Sequence, residues 1–314
     1  MTAMKDRYSF AAAEPPPMAR RTIRAAIGSI GRGLHSGRDV TMVLKPAAVG
    51  SGIVFHRSDL GGDVAARFDL VSDTRLCTLI AKGEARVGTI EHLMAAIMAA
   101  GVDDLRIEVD AGELPIFDGS AAPFLFLLES AGIVTHGGLR DRIEILRTVR
   151  VEAKDAFAEL HPHHEGGAGF DVSLAIEFEA KAIGAQSYHF SLSEEGFGEE
   201  IAPARTFAMR AEIEALRSAG LARGGSLANA VVVDGESVLN PEGLRFHDEF
   251  VRHKLLDVIG DLALAGATIS GRFVGCKTGH ALNNQLLRAL FADQANYRIS
   301  NGSLVSQVRQ LTAA

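Results

Sequence analysis

The sequence predicts an α+β fold divided into two domains, and three observations carry that reading. The chain has 314 residues, more than one ordinary compact core holds. Apolar residues make up 47% and charged residues 23%, the composition of a chain that buries a sizeable core rather than staying disordered. Each half then runs strands first and helices later, the order of an α+β unit. No internal repeat of about 20–50 residues competes with this organisation.

The elements follow from local pattern. Residues 1–20, cut by Pro15-Pro16-Pro17, read as a flexible tail. Short alternating runs at 22–30, 39–46 and 52–56, separated by Gly, Pro and Ser, read as strands. Thr89 is placed to cap a helix over 90–100, which Gly101 ends. Leu105–Val109 reads as a strand, 115–120 as a tight turn and 123–130 as a second helix. The stretch 135–142 carries Gly137-Gly138 and mixed charge, so the expected division is a first domain at 21–137 and a second at 138–314. In the second domain, strands are expected at 142–152, 157–161, 169–179 and 186–190, and helices at 209–219 and 248–265. A strand at 267–275 and a helix from about 281 follow. Within it, 209–233 joins a helix, the glycines Gly220 and Gly224-Gly225 and the apolar run Val231-Val-Val233, which suits an inserted βαβ-type unit near 209–233.

Composition excludes several classes. The formal charge of −7 argues against a dedicated nucleic-acid surface, which shows as a basic excess. Cys77 and Cys276 form no CxxC pair, so a disulfide framework is not expected and a reducing, cytoplasmic setting is. The mildly apolar residues 8–13 are stopped by Glu14 and the prolines, which leaves no secretory signal. The longest apolar stretch, near 93–102, is about half what a spanning helix needs, so no integral membrane segment is expected.

Three segments could carry chemistry. In Phe250-Val-Arg-His-Lys-Leu-Leu-Asp-Val-Ile-Gly-Asp261, His253 and Asp257 stand four apart on one helical face, where an imidazole nitrogen and a carboxylate oxygen can grip one metal ion. Taken alone, the same spacing fits an amphipathic helix with a surface His–Asp pair. Asp261 follows one turn later, and Lys254 points about a quarter-turn away. In Gly88-Thr-Ile-Glu-His-Leu-Met-Ala, His92 offers a third ligand and Glu91 a base beside it, since catalytic zinc sites use three protein ligands and keep one position open. The plain alternative is a Glu that favours a helix N-terminus and a His that is merely polar. In Phe273-Val-Gly-Cys-Lys-Thr-Gly-His280, the His sits at a strand-to-helix junction suited to proton chemistry near neutral pH, and Lys277 on the same approach could meet a phosphate; the plain alternative is a polar helix-start His and a solvent-exposed Lys. Two other segments read differently. His161-Pro-His163-His164-Glu165 runs into glycines and reads as an exposed hairpin loop. Gly31-Arg-Gly-Leu-His35-Ser-Gly37 lacks the Walker pattern, which sets nucleotide hydrolysis aside. No GxGxxG follows a strand, which sets aside a dinucleotide-dependent oxidoreductase.

Together with Pro115-Ile-Phe-Asp-Gly-Ser-Ala-Ala-Pro123, Ala204-Arg-Thr-Phe207, Asp248-Glu-Phe-Val-Arg-His-Lys-Leu-Leu-Asp257 and Gly279-His-Ala-Leu-Asn-Asn284, the segments Gly33-Leu-His-Ser-Gly37 and Thr89-Ile-Glu-His-Leu93 occur in the order of one family. Over roughly residues 20–295 the chain resembles the UDP-3-O-acyl-N-acetylglucosamine deacetylases of lipid A synthesis. The resemblance implies two similar two-layer α/β sandwich domains packed face to face, with the active site at the domain interface. It implies Zn2+ on His92, His253 and Asp257, with Glu91 as general base, His280 as general acid, Thr206 on the oxyanion and Asp261 orienting His280. Fe2+ also suits two His and one carboxylate. Lys254, Lys277, Phe178, Phe207, Glu212 and His35 become contacts for the UDP-acyl-glucosamine substrate, and the acyl chain is expected along 209–233. The rival is a sugar-nucleotide or lipid binder that kept the fold without the reaction; a monomer acting on a small molecule is expected.

Overall fold

The computed structural model describes residues 19–163 and 169–300. The expected tail therefore lies outside the described residues except for its last two, which open β1 (Ala19–Ile23). His164 and Glu165 of the histidine-rich loop also lie outside them.

The first half follows as β2 (Ile27–Arg32), β3 (Asp39–Pro46), β4 (Ile53–Arg57), β5 (Gly62–Ala65), β6 (Val71–Asp73), β7 (Leu79–Lys82) and β8 (Ala85–Val87). Helix α1 (Glu91–Ala99), β9 (Leu105–Val109), α2 (Ala122–Ala131) and β10 (Ile133–Leu139) complete it. A five-stranded sheet runs β2-β3-β9-β4-β5, and β6-β7-β8 make a small antiparallel sheet beside it. Strand β9 alternates as the pleat demands, with Leu105, Ile107 and Val109 buried and Arg106 and Glu108 between them less so. Helix α1 buries residues all round its surface, the pattern of a helix inside a core.

The second half has β11 (Arg142–Ile145), β12 (Val149–Ala153), β13 (Ala156–His161), β14 (Phe170–Glu177) and β15 (Ala185–Ser191). The turn α3 (Glu194–Gly196), β16 (Phe207–Met209), α4 (Arg210–Ser218), β17 (Val231–Asp234) and β18 (Ser237–Val238) come next. Helix α5 (Glu249–Leu262), β19 (Thr268–Cys276), α6 (His280–Ala292) and β20 (Tyr297–Ser300) close the described chain. The long β19 pairs with β13, β14 and β11, and so organises a seven-stranded sheet. The expectation of a mixed α+β fold holds throughout.

Helices α1 and α5 pack against each other, one from each half. Gly260 makes that contact close: a Cβ there would stand 2.0 Å from the Glu91 carbonyl oxygen. Strand β16 pairs in parallel with β17 across α4, Phe207 opposite Val231 and Met209 opposite Val233, which is the βαβ unit expected near 209–233. No residue of α4 is fully buried.

Three local expectations need correction. Residues 22–30 form two strands in different sheets, because the backbone N–H groups of Arg24 and Ala25 turn aside to the carbonyls of Gly132 and Ala131. Residues 142–152 likewise split into β11 and β12, with Leu146 bonded through its backbone to Asn296 between them. Thr89 does not cap α1: it has φ +56°, the cap position is Ile90, and its buried hydroxyl has no partner among the described residues. The stretch read as a boundary includes β10, which pairs with β1. Arg20 reaches across there, its Nε to Asp104 at 2.7 Å and its Nη1 to Asp141 at 3.0 Å. No helix among the described residues is long and apolar enough to cross a membrane.

Candidate active site

The α1–α5 contact brings together residues that lie more than 160 positions apart in sequence. Glu91 and His92 form the first turn of α1, while His253, Asp257 and Asp261 recur every four residues along one face of α5. All five are buried. His280 opens α6, right after the end of β19. Glu91, His92, Thr206, His253, Asp257 and His280 line one cavity of about 40 Å³, with Leu34, His35, Leu76 and Cys77 beside them.

Two imidazoles converge on one carboxylate oxygen. His92 Nε2 lies 3.8 Å and His253 Nε2 3.5 Å from Asp257 Oδ1. One donor atom from each of the three lies within 4.8 Å of the others. His253 Nδ1 donates to the Ala204 carbonyl at 3.1 Å, which leaves the Nε2 lone pair for the cavity. Asp257 Oδ2 accepts from Lys254 Nζ at 2.8 Å.

The protonation states are those of a metal-binding set. Burial pushes the His92 imidazole down to about 3 and lowers His253 as well, so both rings are neutral. Burial works to raise Asp257, yet the Lys254 ammonium beside it outweighs that and holds the carboxyl well below its usual range. Two neutral imidazoles and one ionised carboxylate, convergent and buried, fit a single divalent cation.

The same cavity is also lined by a carboxylate and an imidazole that face each other, Glu91 and His280. His280 Nε2 lies 3.9 Å from Glu91 Oε1. Burial raises the Glu91 carboxyl to about 7. Burial opposes the charge on His280, but Asp261, 2.9 Å from its Nδ1, overcomes it and lifts the imidazole to about 9. Thr78, from the residues before β7, donates its N–H to Glu91 Oε2 at 3.0 Å and its hydroxyl to Asp261 Oδ1 at 2.5 Å.

The remaining sequence candidates fall around this centre. Phe207 and Glu212 line an adjoining cavity of about 420 Å³, with Ile213, Leu216, Leu227 and Val232. His35 and Thr206 line both cavities. Phe178 meets Phe207 edge-on at 5.4 Å, and Phe207 in turn lies 6.2 Å from the His253 ring. Lys277 is engaged elsewhere, with Asp155 at 2.9 Å and Glu177 at 2.6 Å. The loop at residues 31–37 holds a carboxylate of the chain itself: Glu113 accepts the backbone N–H groups of His35 at 3.0 Å and Ser36 at 2.7 Å. His161 and His163 sit on the sheet surface, bonded to Glu159 and to the Gly169 carbonyl.

Sequence spacing offers no signal for Thr78. It also misses the buried pair of Arg205 and Glu249, in which Glu249 Oε1 accepts both the backbone N–H (2.9 Å) and the Nε (2.8 Å) of Arg205, fixing the segment before β16 that carries Ala204 and Thr206.

Comparison with known proteins places this geometry. The family described as UDP-3-O-acyl N-acetylglycosamine deacetylase matches residues 20–292. A UDP-3-O-acyl-N-acetylglucosamine deacetylase of Psychrobacter arcticus is 47% identical over 290 residues, 91% of this chain and 89% of the relative. Proteins of the same name from Anaeromyxobacter sp. (46% identical over 280 residues, 89% of this chain and 91% of the relative) and Shewanella loihica (49% over 280 residues, 88% and 90%) are similar to it as well. With nearly the whole described chain matched and identity near one half, the chain belongs to the UDP-3-O-acyl N-acetylglycosamine deacetylase family.

Proposed function

We propose that this chain hydrolyses the N-acetyl group of UDP-3-O-acyl-N-acetylglucosamine and releases acetate, the committed step of lipid A synthesis. One observation carries the reading: a three-donor metal set and a base–acid pair, supplied by both halves of one chain, face each other across a single cavity. A binder that had given up the reaction would not need Glu91 and His280 at 3.9 Å.

His92, His253 and Asp257 hold the cation, and the donor set favours zinc, with Fe(II) the alternative. When bound, the cation polarises the amide carbonyl and makes water more acidic. Glu91, ionised, takes the proton from the attacking water. The Thr206 hydroxyl donates to the oxygen that gains charge as the carbonyl carbon becomes tetrahedral. His280, protonated, gives its Nε2 proton to the sugar nitrogen as the C–N bond breaks, because an amine leaves poorly unless protonated. Asp261 accepts from Nδ1 and keeps the ring turned toward the cavity.

The substrate contacts follow the same geometry. Phe178 and Phe207 offer aromatic faces beside His253, and Lys254 and Lys277 supply positive charge for the nucleotide end. Lys277 would exchange Asp155 and Glu177 for phosphate. Glu212 and His35 flank the sugar, and the acyl chain runs along the cavity under α4. The two domains, 21–137 and 138–314, each supply one wall of the site. A monomer in the cytoplasm completes the reading, and two free cysteines accord with that compartment.

The test is acetate release from the UDP-acyl sugar by the metal-loaded protein, alongside metal analysis. One bound ion per chain and stoichiometric acetate are expected. Metal-loaded protein that binds the substrate but frees no acetate defeats the reading in favour of the binder.

A further inference from the structure

Four residues close a ring of polar contacts at one side of the reaction cavity, which Glu91 and His280 line: Glu91, Thr78, Asp261 and His280. The Thr78 amide donates to Glu91 Oε2 at 3.0 Å, and the Thr78 hydroxyl donates to Asp261 Oδ1 at 2.5 Å. Asp261 Oδ2 accepts from His280 Nδ1 at 2.9 Å and from Asn283 Nδ2 at 2.8 Å. His280 Nε2 then faces Glu91 Oε1 at 3.9 Å, and the ring is complete. Thr78 belongs to neither catalytic helix. It approaches from the small β6-β7-β8 sheet, and its own carbonyl accepts the N–H of Ile90, directly before Glu91, at 3.4 Å.

The chemistry leaves Thr78 little freedom. It is 2% exposed, so bulk water does not stand in for its hydroxyl. An ionised carboxylate only accepts, so Thr78 Oγ1 must donate to Asp261. Asp261 thereby has a donor on each oxygen, and its plane is fixed from both sides. The amide bond fixes the other end by setting which Glu91 oxygen faces the cavity.

We propose that Thr78 is a positioning residue for the hydrolysis: it couples the base on α1 to the acid on α6 through Asp261 and keeps the two in register across the cavity. The inference rests on the deacetylase reading. It acts on turnover, because it governs the geometry of proton transfer, and leaves substrate contacts and metal ligands alone.

The experiment compares wild type with Thr78→Val, Thr78→Ala, Thr78→Ser, Asp261→Asn and the Thr78→Val/Asp261→Asn double variant, all metal-loaded. Val keeps the shape and loses the donor, and Ala is a second hydroxyl deletion should Val fold poorly. Loss of the hydroxyl should lower kcat by about 10–100-fold, the range for outer partners of a site, with KM and metal content unchanged. Ser should recover most of the turnover. In the Asp261→Asn background, Val should cost little more, since the two residues act as one unit. The His280 Nδ1–H proton resonance should move in Val and Ala and return in Ser. Wild-type turnover in Val and Ala, Ser as poor as Val, or the full Val penalty persisting beside Asp261→Asn each overturns the proposal. If wild type frees no acetate, the deacetylase reading fails instead, and the His280 resonance, which needs no turnover, still decides whether Thr78 controls the ring.

Discussion

Glu91 Oε1 and His280 Nε2 face each other at 3.9 Å, the one raised to about 7 by burial and the other raised to about 9 by Asp261 against its burial. The proposed reaction requires Glu91 ionised and His280 protonated, so turnover should rise as pH climbs through the Glu91 value and fall as it climbs through the His280 value. A bound cation beside Glu91 favours its ionised form, which moves the acid limb to about 7 or below. Rate against pH for wild type and His280→Ala checks this. The alkaline limb should change or vanish in the variant, and an alkaline limb identical to wild type counts against His280 as the acid.

Replacing Glu91 with Gln keeps the size and hydrogen bonding but removes the proton acceptor. Turnover should drop on the order of 10²–10⁴-fold, the usual weight of general-base catalysis, while bound metal stays near wild type. Loss of metal in Glu91→Gln would make Glu91 a ligand instead.

His92→Ala takes one donor out of three. Metal content, measured by elemental analysis, and acetate release should fall together, and chelation of wild type should reproduce the loss and metal addition reverse it. A fully metallated and active His92→Ala protein removes His92 from the set.

Gly260→Ala tests the helix contact. The added carbon meets the Glu91 carbonyl oxygen at 2.0 Å and its Cα at 3.0 Å, so α1 and α5 must part. Overpacking of this kind costs about 1–3 kcal/mol, read as a lowered Tm. Because Glu91 and His92 ride on the displaced helix, kcat should fall about 100-fold, the effect of misplacing reacting groups by about an ångström. Unchanged Tm and kcat would mean that the contact is looser than described.

Leu216→Ala enlarges the cavity under α4. Each buried methylene contributes about 0.8 kcal/mol, so kcat/KM should depend steeply on acyl length in wild type, and the dependence should flatten or shift in the variant. A wild-type enzyme indifferent to chain length would place the acyl chain elsewhere.

What was legible in the sequence was what repeats locally. His253, Asp257 and Asp261 recur every four residues on α5, and Glu91 and His92 open an apolar helix, so their shared faces follow from helical periodicity. The βαβ unit around α4 showed because glycines separate its helix from the valine run. Thr78 did not show, since its meaning lies in contacts 13 and 183 residues away. The break at Arg24 and Ala25 was hidden for the same reason: no Gly or Pro marks it, and the carbonyls that take these two N–H groups belong to Gly132 and Ala131, more than 100 residues on. The capping expectation failed at Thr89 because the first turn of α1 is tied down by tertiary contacts to Thr78 rather than by a local hydroxyl.

The Glu113 carboxylate fills the loop at residues 31–37 from within the chain. Backbone amides in such a nest attract phosphate, but here both oxygens of a glutamate already accept those of His35 and Ser36. A Cβ on Gly33 would meet Glu113 Oε1 at 2.2 Å, so the carboxylate and the loop are built as one piece. With those two backbone N–H groups taken, an anion reaching the loop would have to displace the chain's own carboxylate before the backbone could hold it.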